Sequence, residues 1–222
     1  MRRKFLTHTL HRQGNEEELR NDYIVFTLAA QGFNDKGAIV KLIDNFKLLI
    51  EAGPVNYKGA RNAGTGEILT GFTQNKMIKK ASNKSYMTAV YTTKENMKKA
   101  LEKLKGADNG MSVVVSGNFK EVFEVAKEVG LKPHTVHLSL GIYGKTELLP
   151  EKEILEITSM CGHGMVCPDR VEQMVGKVCS GKITVKKASV ELSSSCTCGI
   201  FNPKRAEDVI KKICKKRGKI IK

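Results

Sequence analysis

Residues 86–116 read Y-M-T-A-V-Y-T-T-K-E-N-M-K-K-A-L-E-K-L-K-G-A-D-N-G-M-S-V-V-V-S. The first seven, 86–92, are rich in aromatic and β-branched residues and predict a strand. Residues 93–105 turn to helical spacing of apolar residues, and Thr93 can cap that helix. Residues 110–116 return to strand character. Outward on the C-terminal side, 118–129 predicts a helix stopped by Gly130, and H-T-V-H-L-S-L-G-I (134–142) predicts a third strand. The order β-α-β-α-β predicts a layered α/β domain whose sheet is partly parallel or ferredoxin-like.

On the N-terminal side, 22–31 is a continuous apolar run ended by Gly32 and predicts a buried strand. Residues 36–50 place Ile39, Leu42, Ile43, Phe46 and Ile50 at helical spacing. Asn34 or Asp35 can cap this helix, and Gly53-Pro54 ends it. Residues 53–85 are rich in Gly, Asn, Ser and Thr, and predict either a functional loop or a short hairpin.

After Gly144 the strand signals stop. Helices are predicted over 151–160, 168–178, 184–192 and 203–214. Pro168 and Pro203 suit first-turn positions, and Thr184 and Asn202 suit caps. The expected organisation is an α/β domain over 1–148 and a small helical, cysteine-rich, metal-binding module over 149–222.

Every cysteine of the chain falls in that tail: Cys161, Cys167, Cys179, Cys196, Cys198 and Cys214. Cys161 and Cys167 bracket a corner between two helices, with Gly162 and Gly164 allowing the turn. Cys196 and Cys198 occupy a second corner, followed by Gly199. Each corner runs into a helix N-terminus, whose free N–H groups and partial positive charge suit a negatively charged thiolate centre. The expected ligands are therefore Cys161, Cys167, Cys196 and Cys198. The expected group is a [4Fe-4S] cluster, with zinc as the alternative, because C-x5-C and C-x-C fit no common zinc spacing. His163 is a possible replacement ligand. Cys179 reads as a reserve ligand and Cys214 as a packing residue. A nucleophilic Cys161 beside His163 is conceivable, but it leaves the other cysteines of the two corners unexplained.

Other candidates are weaker. H-T-L-H (8–11) and H-T-V-H (134–137) read as structural histidines; on a strand, positions i and i+3 face opposite ways. That places His134 at the surface and His137 towards the interior. The glycine-rich loop 59–71 carries Arg61 but lacks the G-K-[ST] of a P-loop. Arg61, with Lys145 in the turn after the third strand, is a candidate for holding a small anionic substrate.

The chain of 222 residues has a net charge of +15. Residues 204–222 hold nine Lys/Arg against Glu207 and Asp208, so about half the excess sits there. This basic tail makes nucleic acid a possible partner, although no tryptophan and no interleaved aromatic is present for stacking bases. No apolar run is long enough to span a membrane, and the start M-R-R-K-F-L-T-H lacks the apolar core of a signal peptide. A cytoplasmic location is expected, where thiols stay reduced. The leading expectation for function is an iron–sulfur protein of anaerobic metabolism. It would act in electron transfer, or as an accessory or maturation factor for a redox enzyme, which would be its protein partner. The alternatives are a zinc-stapled basic module that binds RNA or DNA, and an enzyme on a small anionic substrate beside the metal centre.

Overall fold

The computed structural model describes residues 12–58 and 74–219. Its first part runs α1 (Glu16–Leu19), β1 (Tyr23–Leu28), α2 (Ala38–Glu51), β2 (Asn56–Lys58), α3 (Gln74–Lys79), β3 (Tyr86–Tyr91), α4 (Lys94–Ala107), β4 (Ser112–Ser116) and α5 (Phe119–Glu128). The second part is helical: a 3-10 turn (Thr146–Leu148), α6 (Lys152–Thr158), α7 (Pro168–Cys179), α8 (Val185–Ser193) and α9 (Pro203–Lys216).

The four strands form one sheet in the order β2-β3-β1-β4, and each adjacent pair is antiparallel. The partly parallel alternative is therefore wrong. Strands linked through α2 and through α4 run in the same direction but are separated by a third strand, which is the split β-α-β pattern. Residues 134–142 are not a strand of this sheet; they are exposed and carry no regular structure. The helices are placed largely by local chemistry. Thr93, Asn118, Thr184 and Asn202 each accept a hydrogen bond from a first-turn N–H. The exception is α2. Its cap is Gly37, in the left-handed conformation, while Asn34 instead accepts from the Ala30 N–H and donates to the Gly110 carbonyl.

The alternation of β1 and β3 divides two cores. Tyr23, Val25, Met87, Ala89 and Tyr91 pack on α2 and α4 through Leu42, Phe46, Leu49, Met97 and Leu101. Ile24 and Val90 point the other way and share a second core with α6–α9, including Ile157, Val175, Leu192, Phe201 and Ile210. The C-terminal helices thus cover the second face of the sheet. Polar contacts fix the seam. The Asn56 side chain donates to the Phe201 carbonyl (2.8 Å), and Thr88 Oγ1 donates to the Cys198 carbonyl (2.9 Å).

A buried ion cluster ties the two ends of the described chain together. The Asp22 carboxylate accepts from Arg205 Nη1 (2.9 Å), from Asn202 Nδ2 (3.0 Å) and from Arg12. Arg12 also donates to the Ile200 carbonyl, and Arg205 to the Gln13 carbonyl.

Glu156 on α6 is fully buried, and neither carboxylate oxygen has a hydrogen-bond partner among the described residues. Lys212 approaches only to 3.8 Å. Burial, with Glu18 nearby, pushes its carboxyl above the usual range. A carboxyl whose folded pKa is raised favours folding while it stays protonated. That advantage is lost as pH climbs through the raised value. Urea midpoints measured from about pH 4 to 8 should fall with pH in the native chain, and Glu156→Gln should flatten this decline. Parallel curves for the two proteins would show that Glu156 does not titrate differently on folding.

Candidate metal centre

The two cysteine corners meet over the sheet. The first is the α6–α7 connection, S-M-C-G-H-G-M-V-C, where Gly164 takes a left-handed turn at φ 68°. The second is the α8–α9 connection, C-T-C-G-I-F-N, where Gly199 turns at φ 69°. A Cβ on Gly199 would lie 2.6 Å from the Lys58 Cβ and 3.3 Å from the Lys58 backbone nitrogen. Only glycine lets this corner lie flat on β2 and β3. Thr197 Oγ1 donates to the sulfur of Met165 (3.6 Å), a contact between the corners.

Cys161, Cys196 and Cys198 are buried, at 2%, 2% and 0% exposure. Cys196 Sγ lies 3.6 Å from Cys198 Sγ, and Cys198 Sγ lies 3.7 Å from His163 Nδ1. Cys161 lies near enough to Cys196 for the two thiols to shift each other's titration. Three of the four expected ligands are thus brought near one another. The fourth, Cys167, is exposed at the cap of α7 and belongs to no such contact. His163, exposed itself, touches the thiols in its place. Among the described residues, no group of three or more His, Cys, Asp or Glu side chains stands in a ready-made metal-holding arrangement. The donors meet pairwise.

The electrostatics distinguish the three thiols. The neighbouring Cys196 side chain, then burial, holds the Cys161 thiol well above the usual range. Cys196 is pulled down by Cys161, but Cys198 and burial outweigh this and push it up. Cys198 is lowered by the bond from Cys196, helped by the Ile200 backbone N–H. It is the first of the three to become a thiolate. Backbone N–H groups of Met165 and His163 at Cys161, and of Phe201 at Cys196, favour the charged sulfur in the same way. Such donors are what a thiolate centre needs in a dry site.

A cleft of about 390 Å³ opens beside Cys161. Ile142, Leu149, Leu155, Val166 and Pro168 line it, so the approach to this side of the corner is apolar.

Cys179 and Cys214 form a disulfide that joins the C-terminal ends of α7 and α9, with 5.6 Å between their Cα atoms. This corrects the reading of Cys179 as a reserve ligand and of Cys214 as a packing residue. The pairing joins residues 35 apart, and no local signal marks it.

The remaining candidates do not gather into a site. Arg61, the loop 59–71, and His8 and His11 lie outside the described residues. Lys145 is exposed at the cap of the 3-10 turn. His134 and His137 are both exposed, which corrects the interior placement of His137: the segment is not laid on the sheet. The basic face of α9 is largely matched by the protein's own acids. Lys212 pairs with Glu18 (2.7 Å), Arg217 with Glu172 (2.9 Å) and Lys216 with Glu153 (3.3 Å). A phosphate would have to compete with these carboxylates. The buried Asp22–Arg205–Arg12 cluster beside the second corner was invisible in the sequence, because its partners lie up to 183 residues apart.

No helix among the described residues is long and apolar enough to cross a membrane. No protein-family model, no curated protein and no solved structure matches this chain.

Proposed function

We propose that this protein binds an iron–sulfur cluster at the junction of its two cysteine corners. Its role is electron transfer, or service as an accessory to a redox enzyme of anaerobic metabolism. One observation carries the reading. Cys161, Cys196 and Cys198, from two separate glycine-assisted corners, converge in a buried site, where nearby backbone N–H groups favour their charged forms. Those three thiolates are the core ligands. The fourth comes from the same first corner, either Cys167 or His163. When bound, the cluster supplies one-electron chemistry. The chain's own groups hold the thiolates, exclude water through Val166, Ile200 and Phe201, and set the local charge through the N–H donors.

Zinc is the second reading, and one distance favours it. Two thiolates on a tetrahedral zinc with bonds of about 2.3 Å stand about 3.8 Å apart. Cys196 and Cys198 are 3.6 Å apart. In that reading the metal staples the corners, and the tail contacts RNA or DNA.

Strictly anaerobic purification, followed by reconstitution with iron and sulfide, separates the two. The iron–sulfur reading expects a brown protein with about four iron and four sulfide per chain and an EPR signal on reduction. It also expects Cys198→Ser to lose most of that iron. A colourless protein without iron after reconstitution overturns it. Zinc near one per chain, lost in the same variant, would establish the second reading instead.

A further inference from the structure

The segment H-T-V-H-L-S-L-G-I (134–142) has the period-two alternation of a strand, with Val136, Leu138, Leu140 and Ile142 on one side. Yet it joins no strand of the described sheet, and residues 132–149 are exposed throughout. Val136, Leu138, Leu140 and Ile142 are 49%, 57%, 63% and 42% exposed. Among the described residues, β4 pairs with β1 alone, so its other edge is open, and its Val113 and Val114 are 38% and 37% exposed. Of the fifteen exposed large hydrophobic residues among those described, eleven lie between Val113 and Leu149.

The area matters. A fully exposed side chain of this size presents about 150–200 Å², so eleven at roughly half exposure present about 900 Å². A monomer ordinarily leaves about 300–600 Å² in its largest apolar patch. A standard protein interface takes about 800 Å² from each partner. Summed over residues 113–149, the exposed apolar area is of the order that one side of a dimer interface takes. Among the described residues, one molecule carries both halves of a strand pairing, an unpaired strand-like segment and an unpaired sheet edge. A second copy supplies the complement of each without any further partner.

We propose that residues 134–142 add as a strand to the β4 edge of a second copy of this chain, reciprocally, about a two-fold axis. Main-chain hydrogen bonds along β4 supply the affinity, and the apolar row at 136, 138, 140 and 142 fixes the register. The five residues of β4 offer about 16 Å of edge, enough for residues 136–140. This proposal does not depend on the metal reading.

Sedimentation equilibrium and hydrogen exchange on the full chain test it. The chain of 24.6 kDa should sediment at twice that mass. Its amides in 134–142 and along the outer edge of β4 should be protected. The double variant Leu138→Asp/Leu140→Asp changes two exposed positions and should halve the mass, while the far-UV CD spectrum and a cooperative unfolding transition are kept. Ser139→Pro, which removes one ladder N–H, should weaken association in the same way. A native chain that is monomeric at tens of micromolar overturns the proposal. If its 134–142 amides are nevertheless protected, the strand pairs within its own chain. A dimer indifferent to both variants places the interface elsewhere and equally overturns it.

Discussion

Asp22→Ala should cost this protein about 3–5 kcal/mol of stability, the range for stripping one partner from a buried ion cluster. Asp22 is fully buried, and it answers two guanidinium groups whose side chains are only 6% and 4% exposed. Without the carboxylate, Arg12 and Arg205 remain desolvated and uncompensated, each with an Nε that already lacks a partner. Asn202 loses an acceptor at the cap of α9 as well. Urea unfolding should show a large fall in midpoint with little change in slope, the sign of a stability change in a protein that still unfolds as a unit. A loss below about 1 kcal/mol would mean that the cluster is solvated in solution, as surface pairs are.

The second large effect belongs to Gly199. Its left-handed backbone costs an alanine about 1–2 kcal/mol, and the added Cβ would press on Lys58 at 2.6 Å. That contact falls on backbone-proximal atoms of β2, so relief requires the corner to lift off the sheet. Overpacking of this kind adds about 1–3 kcal/mol. Gly199→Ala should therefore cost about 2–5 kcal/mol in all and, because Cys198 is the neighbouring residue, disturb the proposed metal centre. Gly181 provides the comparison. It has a similar positive φ of 73°, and open space surrounds its Cβ position. Gly181→Ala should show the backbone cost alone. Equal losses in the two variants would remove the steric argument.

These two sites show what was legible in the sequence. The caps at Thr93, Thr184 and Asn202, and the first-turn prolines, act within one turn of chain, and a linear reading finds them. The buried runs of β1 and β3 were equally plain. Strand direction was not, because an alternating β-α-β order is compatible with parallel neighbours and with a split arrangement. Which strand lies between two others depends on β2, three residues long, too short to show a period. The 134–142 alternation is real, but pairing is a long-range property that no alternation encodes. For the candidate centre, the glycine-marked corners pointed to Cys161, Cys196 and Cys198. The exposure of Cys167 and the approach of His163 depend on how the turn at Gly164 aims each side chain. The Cys179–Cys214 bridge needed α7 and α9 to be neighbours, which only packing decides.

The covering of the sheet by its last helices also sets an order of events during synthesis. Ile24 and Val90 stay without their apolar cover until α6–α9 exist, and Asp22 waits 183 residues for Arg205. At about 5–20 residues per second, that wait is about 10–40 s on the ribosome. One face of the nascent sheet is bare until then, and the cysteine corners are made as part of its cover. The second core is therefore completed only after translation has passed α9, and closing the sheet's second face is a late act of biogenesis.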